Sequence, residues 1–140
     1  MDSRQTSREW FDRAQHDWDA ANFILNMRPV PVEIVCYHCQ QAVEKSLKGY
    51  LVAQGIEPVP RIHDLTQLCQ MCQEKDAQFA DAIEACGYLT VFATQTRYPS
   101  SIDPSEVEMN RALDYTKGAL ALIQRLTQEL EQELGPGLTM

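Results

Sequence analysis

The stretch from residue 31 to residue 54 is predicted to form one helix with two separate apolar stripes, and this feature limits the fold more than any other. Pro31 suits the first helical position, and Gly55 suits the position just past the end. A helix that is apolar on two sides must be packed on two sides, so it should be the central element. The first stripe consists of Val35, Cys39, Ala42, Ser46 and Tyr50, and the second of Cys36, Val43, Leu47 and Leu51.

The other segments also show helical periodicity, with apolar residues recurring every three or four positions. The first helix is expected to open with a capping box formed by Thr6 and Glu9. Asp64 is placed to cap a short third helix, and a fourth helix is expected over residues 76–96. Asp103, followed by a proline and an acidic residue, predicts the start of the last helix. The pattern therefore predicts an all-α antiparallel bundle of about five helices.

The length of 140 residues is that of a single domain. We expect one helical domain over residues 1–134 and a flexible C-terminal tail over residues 135–140. No apolar run approaches the roughly 20 residues that a membrane span needs. The N-terminal residues also lack the apolar segment of a secretory signal. These features predict a cytoplasmic protein with no membrane association.

Two C-x-x-C pairs, Cys36 with Cys39 and Cys69 with Cys72, raise the question of a zinc site. Structural zinc needs four converging ligands, and such pairs usually lie on tight turns. Here both pairs fall within predicted helices, at positions of the apolar stripes. Because a free cysteine behaves as a small buried hydrophobe, we interpret these residues as part of the core. We expect no bound zinc and no cofactor.

A polar ridge follows the remaining side of the central helix, since His38, Gln41, Lys45 and Lys48 are spaced three, four and three residues apart. This ridge has two interpretations. It can be a solvated face, supported by an i,i+4 pair between Glu44 and Lys48. Alternatively, it can line a binding site for an anion. The net charge of −8 argues against a general nucleic-acid binder but leaves room for a local basic site.

Three short motifs, in order, resemble the HEPN family (higher eukaryotes and prokaryotes nucleotide-binding domain). The motifs are H-x-x-Q-A-x-E-K-x-L-K in the second helix, H-D-L at the start of the third helix and R-Y-P before the last helix. The resemblance spans roughly residues 7 to 130. The matching residues are His38, Gln41, Ala42, Glu44, Lys45, Leu47 and Lys48, then His63, Asp64 and Leu65, then Arg97, Tyr98 and Pro99. Trp10, Ala14 and Asp17 also fit the first helix of the family.

The resemblance implies a small helical bundle that often forms homodimers. It also implies pairing with a minimal nucleotidyltransferase, frequently as a toxin–antitoxin system. Catalytic members of the family are metal-independent ribonucleases with an R-x4–6-H motif. That motif is missing here, since Arg97 is not followed by a histidine at the required distance and Arg8 is separated from His16 by seven residues. The chain is therefore similar to the R-Y-P subgroup, and we expect little or no ribonuclease activity.

The resemblance and the polar ridge together predict a module that binds a nucleotide or RNA, as a homodimer, with a minimal nucleotidyltransferase as the expected partner protein. Two alternatives remain open. One is a ribonuclease of atypical motif, with His38 or His63 acting beside Arg97. The other is a purely structural assembly protein, in which His63 bonds to loop backbone and Arg97 offsets a helix dipole. No residue is predicted to be catalytic, and the predicted ligand-binding residues are His38, Gln41, Lys45, Lys48, Arg61, His63, Arg97 and Tyr98.

Overall fold

The computed structural model describes residues 3–95 and 104–134, and it describes side chains over residues 6–93 and 104–133. The described residues form helices and contain no strand, which confirms the all-α prediction. No described helix has the length and apolar character needed to cross a membrane. The predicted tail, residues 135–140, lies outside the described residues. The helices are α1 (Ser3–Ile24), α2 (Val32–Ala53), α3 (Leu65–Lys75), a 3-10 helix (Ala77–Ala82), α4 (Ile83–Leu89), α5 (Phe92–Gln95) and α6 (Glu106–Leu134).

Helix α2 is the central element, as its two apolar stripes predict. Every residue of both stripes is buried, and α2 packs against α1, α3, α4, α5 and α6. The helix ends at Gly55, whose φ of 84° is a left-handed conformation that favours glycine. The amides of Gly55 and Ile56 donate to the carbonyls of Val52 and Leu51 at 2.9 and 3.0 Å. These two bonds form a Schellman motif, which satisfies carbonyls at the helix end.

The predicted fourth helix is divided into three parts, a 3-10 helix followed by α4 and α5. Asp76 caps the first part by accepting from the Gln78 amide at 3.0 Å. Thr90 lies at the turn between α4 and α5, and its hydroxyl accepts from the Leu65 amide at 2.9 Å. Apolar spacing cannot detect this division, because 3-10 and α geometry repeat after 3.0 and 3.6 residues and both keep one face buried.

Two predicted helix starts are wrong by a few residues. Helix α6 is capped by Ser105, whose hydroxyl accepts from the Glu108 amide at 3.1 Å. The Glu108 carboxylate accepts in return from the Ser105 amide at 3.0 Å, which completes a capping box. The predicted cap, Asp103, lies outside the described residues. Helix α1 begins at Ser3, so Thr6 lies within the helix. Both segments contain several residues that suit an N-cap, and sequence alone does not rank them.

All five cysteines are buried, which confirms their interpretation as core residues. Burial raises the pKa of Cys36 to about 12 and that of Cys39 to about 11, so both thiols stay protonated at neutral pH. The Cys69 and Cys72 thiols donate to backbone carbonyls at 3.4 and 3.6 Å. Within the described ranges, no three His, Cys, Asp or Glu side chains are grouped so that they could hold a metal ion. Metal analysis of the purified protein is the direct test of the zinc prediction.

Candidate functional site

Helices α1 and α2 pack closely because one position of α2 has no side chain. A Cβ atom on Gly49 would lie 3.0 Å from two carbon atoms of the Phe11 ring. The Ser7 hydroxyl donates to the Gly49 carbonyl at 2.9 Å. Ser7 lies near the start of α1 and Gly49 near the end of α2, so this end contact agrees with an antiparallel arrangement. The close approach brings polar side chains of α1 into contact with the polar ridge of α2.

Asp17 of α1 lies against the ridge and binds two of its members. Its Oδ1 atom is 2.8 Å from Nδ1 of His38, and its Oδ2 atom accepts from the Lys45 ammonium. An ionised carboxylate can only accept, so Nδ1 of His38 carries the proton in this contact. His38 and Lys45 are seven residues apart, which is two helical turns, and therefore share a face of α2. We call these three residues the Asp17 network.

Glu44 is the centre of a second network, which joins α2 to the loop before α3. The Glu44 carboxylate accepts from Gln40 at 3.0 Å and from Lys48 at 3.2 Å, and it lies 3.1 Å from Nδ1 of His63. The Gln40 amide also donates to the His63 carbonyl at 3.4 Å, and its oxygen accepts from Gln41 at 2.7 Å. These contacts attach the loop before α3 to α2. We call these five residues the Glu44 network.

The two networks place carboxylates where they offset cations. The side chains of Glu44 and Lys48 are 6% and 7% exposed, so neither charge is solvated by bulk water. A buried charge is tolerated when a partner and further hydrogen bonds satisfy it, and Gln40 supplies such a bond to Glu44. His63 is 73% exposed, so solvent screens its pairing with Glu44. The buried pair therefore anchors the site, while His63 remains accessible at its edge.

A groove of 510 Å³ opens beside the Glu44 network, between α1, α2 and the loop before α3. The Lys48 ammonium lies 5.8 Å from the centre of the Trp10 ring, within the range of a cation–π contact. The groove thus combines an aromatic ring, four basic side chains and two carboxylates. Its lining residues are Glu9, Trp10, Arg13, Glu44, Lys45, Lys48 and His63.

The structure brings most of the predicted site residues together and leaves the others apart or undescribed. His38 and Lys45 meet at Asp17, whereas Lys48, His63 and Gln41 belong to the Glu44 network. Arg61 is exposed and belongs to neither network as the described residues define them. Arg97 and Tyr98 lie outside the described residues. A ligand-binding role for this set stays a prediction.

Sequence reasoning noted Trp10 and Asp17 only as matches to the family's first helix and did not predict the α1 side of this site. Asp17 follows Trp10 and Ala14 at helical spacing and so stands on the buried seam of α1. A charged residue on a buried seam needs a partner, and this signal could have identified Asp17. Gln40 and Arg13 carried no comparable signal, because their roles depend on how the two helices pack. Gln40 is fully buried, and Arg13 is exposed at the groove.

Comparison with known proteins gives both a family match and structural neighbours. The HEPN domain family model matches residues 7–126. The crystal structure of TT1696 from Thermus thermophilus superposes with a TM-score of 0.74 and 27% identity, and the match covers 85% of this chain and 96% of that one. The crystal structure of ST0689, an archaeal HEPN homologue, gives a TM-score of 0.67 and 23% identity, with coverage of 86% and 97%. A search among curated proteins found no match.

Proposed function

Since this chain belongs to the HEPN domain family, we propose that it is a nucleotide- or RNA-interacting module whose ligand occupies the groove between α1 and α2. The proposal extends to a homodimer of the R-Y-P subgroup that pairs with a minimal nucleotidyltransferase, in a system of the toxin–antitoxin type. The family match supports the assignment of the chain as a HEPN module. The residues that line the groove support a nucleotide or a short RNA segment as its ligand.

The composition of the groove is the observation that carries the proposal. The Trp10 ring offers a surface on which a base can stack, and such stacking is independent of base identity. Arg13 and His63 are exposed at the groove and can donate charge-assisted hydrogen bonds to phosphate oxygens. Lys45 and Lys48 add positive charge, and the carboxylates of Asp17 and Glu44 hold them in place.

The charge of the whole chain favours a short ligand over a long RNA. The net charge is −8, whereas proteins that hold many phosphates are usually basic. Glu9 and Glu44 also line the groove and would repel further phosphates along an extended strand. A mononucleotide or a segment of a few nucleotides therefore suits this site best.

We expect Arg13→Ala and His63→Ala each to weaken binding of ATP and of a short single-stranded RNA about tenfold, or about 1.4 kcal/mol. Both side chains are exposed, so the melting temperature should change little. Arg125→Ala is the matched control, because Arg125 binds Gln78 and Glu129 away from the groove. Isothermal titration measures affinity and circular dichroism measures stability. Equal losses in all three variants, or no binding by the parent protein, would contradict the proposed function.

The homodimer has support from apolar side chains that are exposed at one end of the bundle. Phe23 is 75% exposed near the end of α1, and Val107 is 69% exposed near the start of α6. Met27 is 54% exposed in the turn after α1. Large exposed apolar groups in one region are typical of an interaction surface. This end of the bundle is therefore the proposed interface between two copies.

We expect the parent protein to sediment as a dimer at micromolar concentrations. The double variant Phe23→Glu/Val107→Glu should sediment as a folded monomer, since each carboxylate would have to be desolvated at the interface. The matched control is Gln70→Glu/Ala80→Glu, which adds the same charge at exposed positions on α3 and the 3-10 helix. A monomeric mass for the parent protein would refute the dimer. A dimeric mass for the first variant would refute the proposed interface.

A further inference from the structure

A second groove, of 380 Å³, lies between α1 and α6 and differs from the first in its lining. Its apolar surface comes from Phe11 of α1 and from Leu120 and Ile123 of α6. Ser46 of α2 also lines it, and this small side chain leaves space between the flanking helices. Leu120 is half-buried and Ile123 is buried, so the groove has an apolar base that is continuous with the core.

The two long helices that border this groove run in opposite directions. Helix α6 runs parallel to α2, since Thr116 lies beside Cys39 and Ile123 lines the groove with Ser46. Helix α1 runs antiparallel to α2, since Ser7 contacts Gly49 and Asp17 contacts His38. The groove therefore lies between two antiparallel helices and extends over three turns of α6, a geometry in which a further helix can pack against α6.

The charge of this groove is purely acidic. The charged residues among those that line it are Asp12 and Glu131, and the lining includes no Lys, Arg or His. In a symmetric contact, a second copy of this chain would bring the same acidic rim and would be repelled. A basic partner would instead be attracted, both by this rim and by the net charge of −8.

We propose that the groove between α1 and α6 docks a basic amphipathic helix of a partner protein. Apolar residues of that helix, repeated at i, i+3 or i+4 and i+7, would contact Phe11, Leu120 and Ile123. Lysine or arginine residues beside them would pair with Asp12 and Glu131. The site is separate from the nucleotide groove, because the neighbouring residues Asp12 and Arg13 point to different sides of α1.

The probe for this site is a fluorescent synthetic peptide of about 18 residues, long enough to form a helix, with leucine at the spaced anchor positions and lysine elsewhere. A peptide of the same composition in scrambled order serves as the peptide control. The protein variants are Asp12→Lys/Glu131→Lys, at the groove, and Glu57→Lys/Glu74→Lys, at exposed positions outside it. Both variants change the net charge equally. Fluorescence anisotropy measures affinity, and circular dichroism confirms that each variant is folded.

We expect the groove variant to bind the amphipathic peptide at least tenfold more weakly than the parent protein, and the control variant to change affinity less than twofold. The scrambled peptide should bind at least tenfold more weakly than the ordered one. Equal losses in both variants would overturn the proposal, since they would indicate non-specific attraction to an acidic protein. If removal of residues 135–140 tightened peptide binding, the proposal would also be overturned, because these residues would then be the segment that occupies the groove in the parent protein. A change of oligomeric mass in the groove variant alone would assign the groove to a second copy instead.

Discussion

Replacing Glu44 with alanine is expected to lower the free energy of unfolding by about 3 kcal/mol, because it leaves a buried charge without its partner. Glu44 and Lys48 are both nearly inaccessible, and the carboxylate also accepts from Gln40. Removing the carboxylate leaves the buried Lys48 ammonium without its ion-pair partner and takes one of two acceptors from the Gln40 amide. Urea denaturation followed by circular dichroism measures the loss.

Two further variants distinguish the effect of breaking the Glu44–Lys48 ion pair from the effect of removing side-chain volume. The double variant Glu44→Leu/Lys48→Met removes both charges and keeps apolar volume, so it should be more stable than Glu44→Ala. Glu33→Ala is the matched control, because Glu33 is partly exposed in the first turn of the same helix. This change should lower the free energy of unfolding by about 0.5 kcal/mol, since it removes a negative charge near the positive end of the helix dipole. If Glu44→Ala cost no more than Glu33→Ala, the buried pair would have no structural role.

Replacing Gly49 with valine is expected to destabilise the protein by about 3 kcal/mol, at the upper end of the usual cost of overpacking. The first added carbon would already lie 3.0 Å from the Phe11 ring, and the two methyl groups of valine would need further space. Either the ring or the whole of α1 must move away from α2. Since α1 carries Asp17 and the groove residues Trp10 and Arg13, nucleotide affinity should fall together with stability.

Gly118→Val is the matched control for this prediction. Gly118 also lies within a helix, α6, but a Cβ atom there would meet no other atom within 4 Å. Valine has a higher helix propensity than glycine, so this change should leave stability equal or raise it by a few tenths of a kcal/mol. Thermal unfolding of the two variants would compare them directly. Similar melting temperatures would show that α1 and α2 are not closely packed at Gly49.

Helix α1 lies between the two grooves and contributes different side chains to each. Its residues Trp10, Arg13 and Asp17 face the ridge of α2, whereas Asp12 and Gln15 face α6. The proposed ligand of the first groove contains phosphate, and the proposed partner of the second groove is a cationic helix. Because both grooves share this helix, a shift of α1 would affect both. The Gly49→Val variant therefore also tests whether ligand binding and partner binding depend on the same packing.

The periodicity of the sequence was sufficient to predict the fold class and the role of α2. Both apolar stripes of α2 are buried, and the cysteines of its stripes belong to the core. Asp64 caps α3 as predicted, by accepting from the amides of Thr66 and Gln67. These features are local, since each depends on residues within a few positions of one another along the chain.

The chemistry of the candidate site could be predicted only in part. The ridge residues His38, Lys45 and Lys48 share a face of α2, and their spacing alone predicts this. Their partners could not be predicted in the same way. Asp17 lies 21 residues from His38 along the chain, and Glu44 lies 19 residues from His63. Which carboxylate meets which cation depends on the distance and register between packed elements, and periodicity carries no information on either.

By itself, the sequence of this protein determined which residues form helices, which faces are apolar and which polar side chains share a ridge. The tertiary structure decided that the ridge is partly buried, that Asp17 and Glu44 offset its charge, and that α1 borders two grooves, one lined by residues of both charges and one by acidic residues alone. The physical reason is the close contact at Gly49. Helical periodicity specifies the direction of a side chain around its own axis, whereas burial and charge pairing depend on how closely a neighbouring helix approaches.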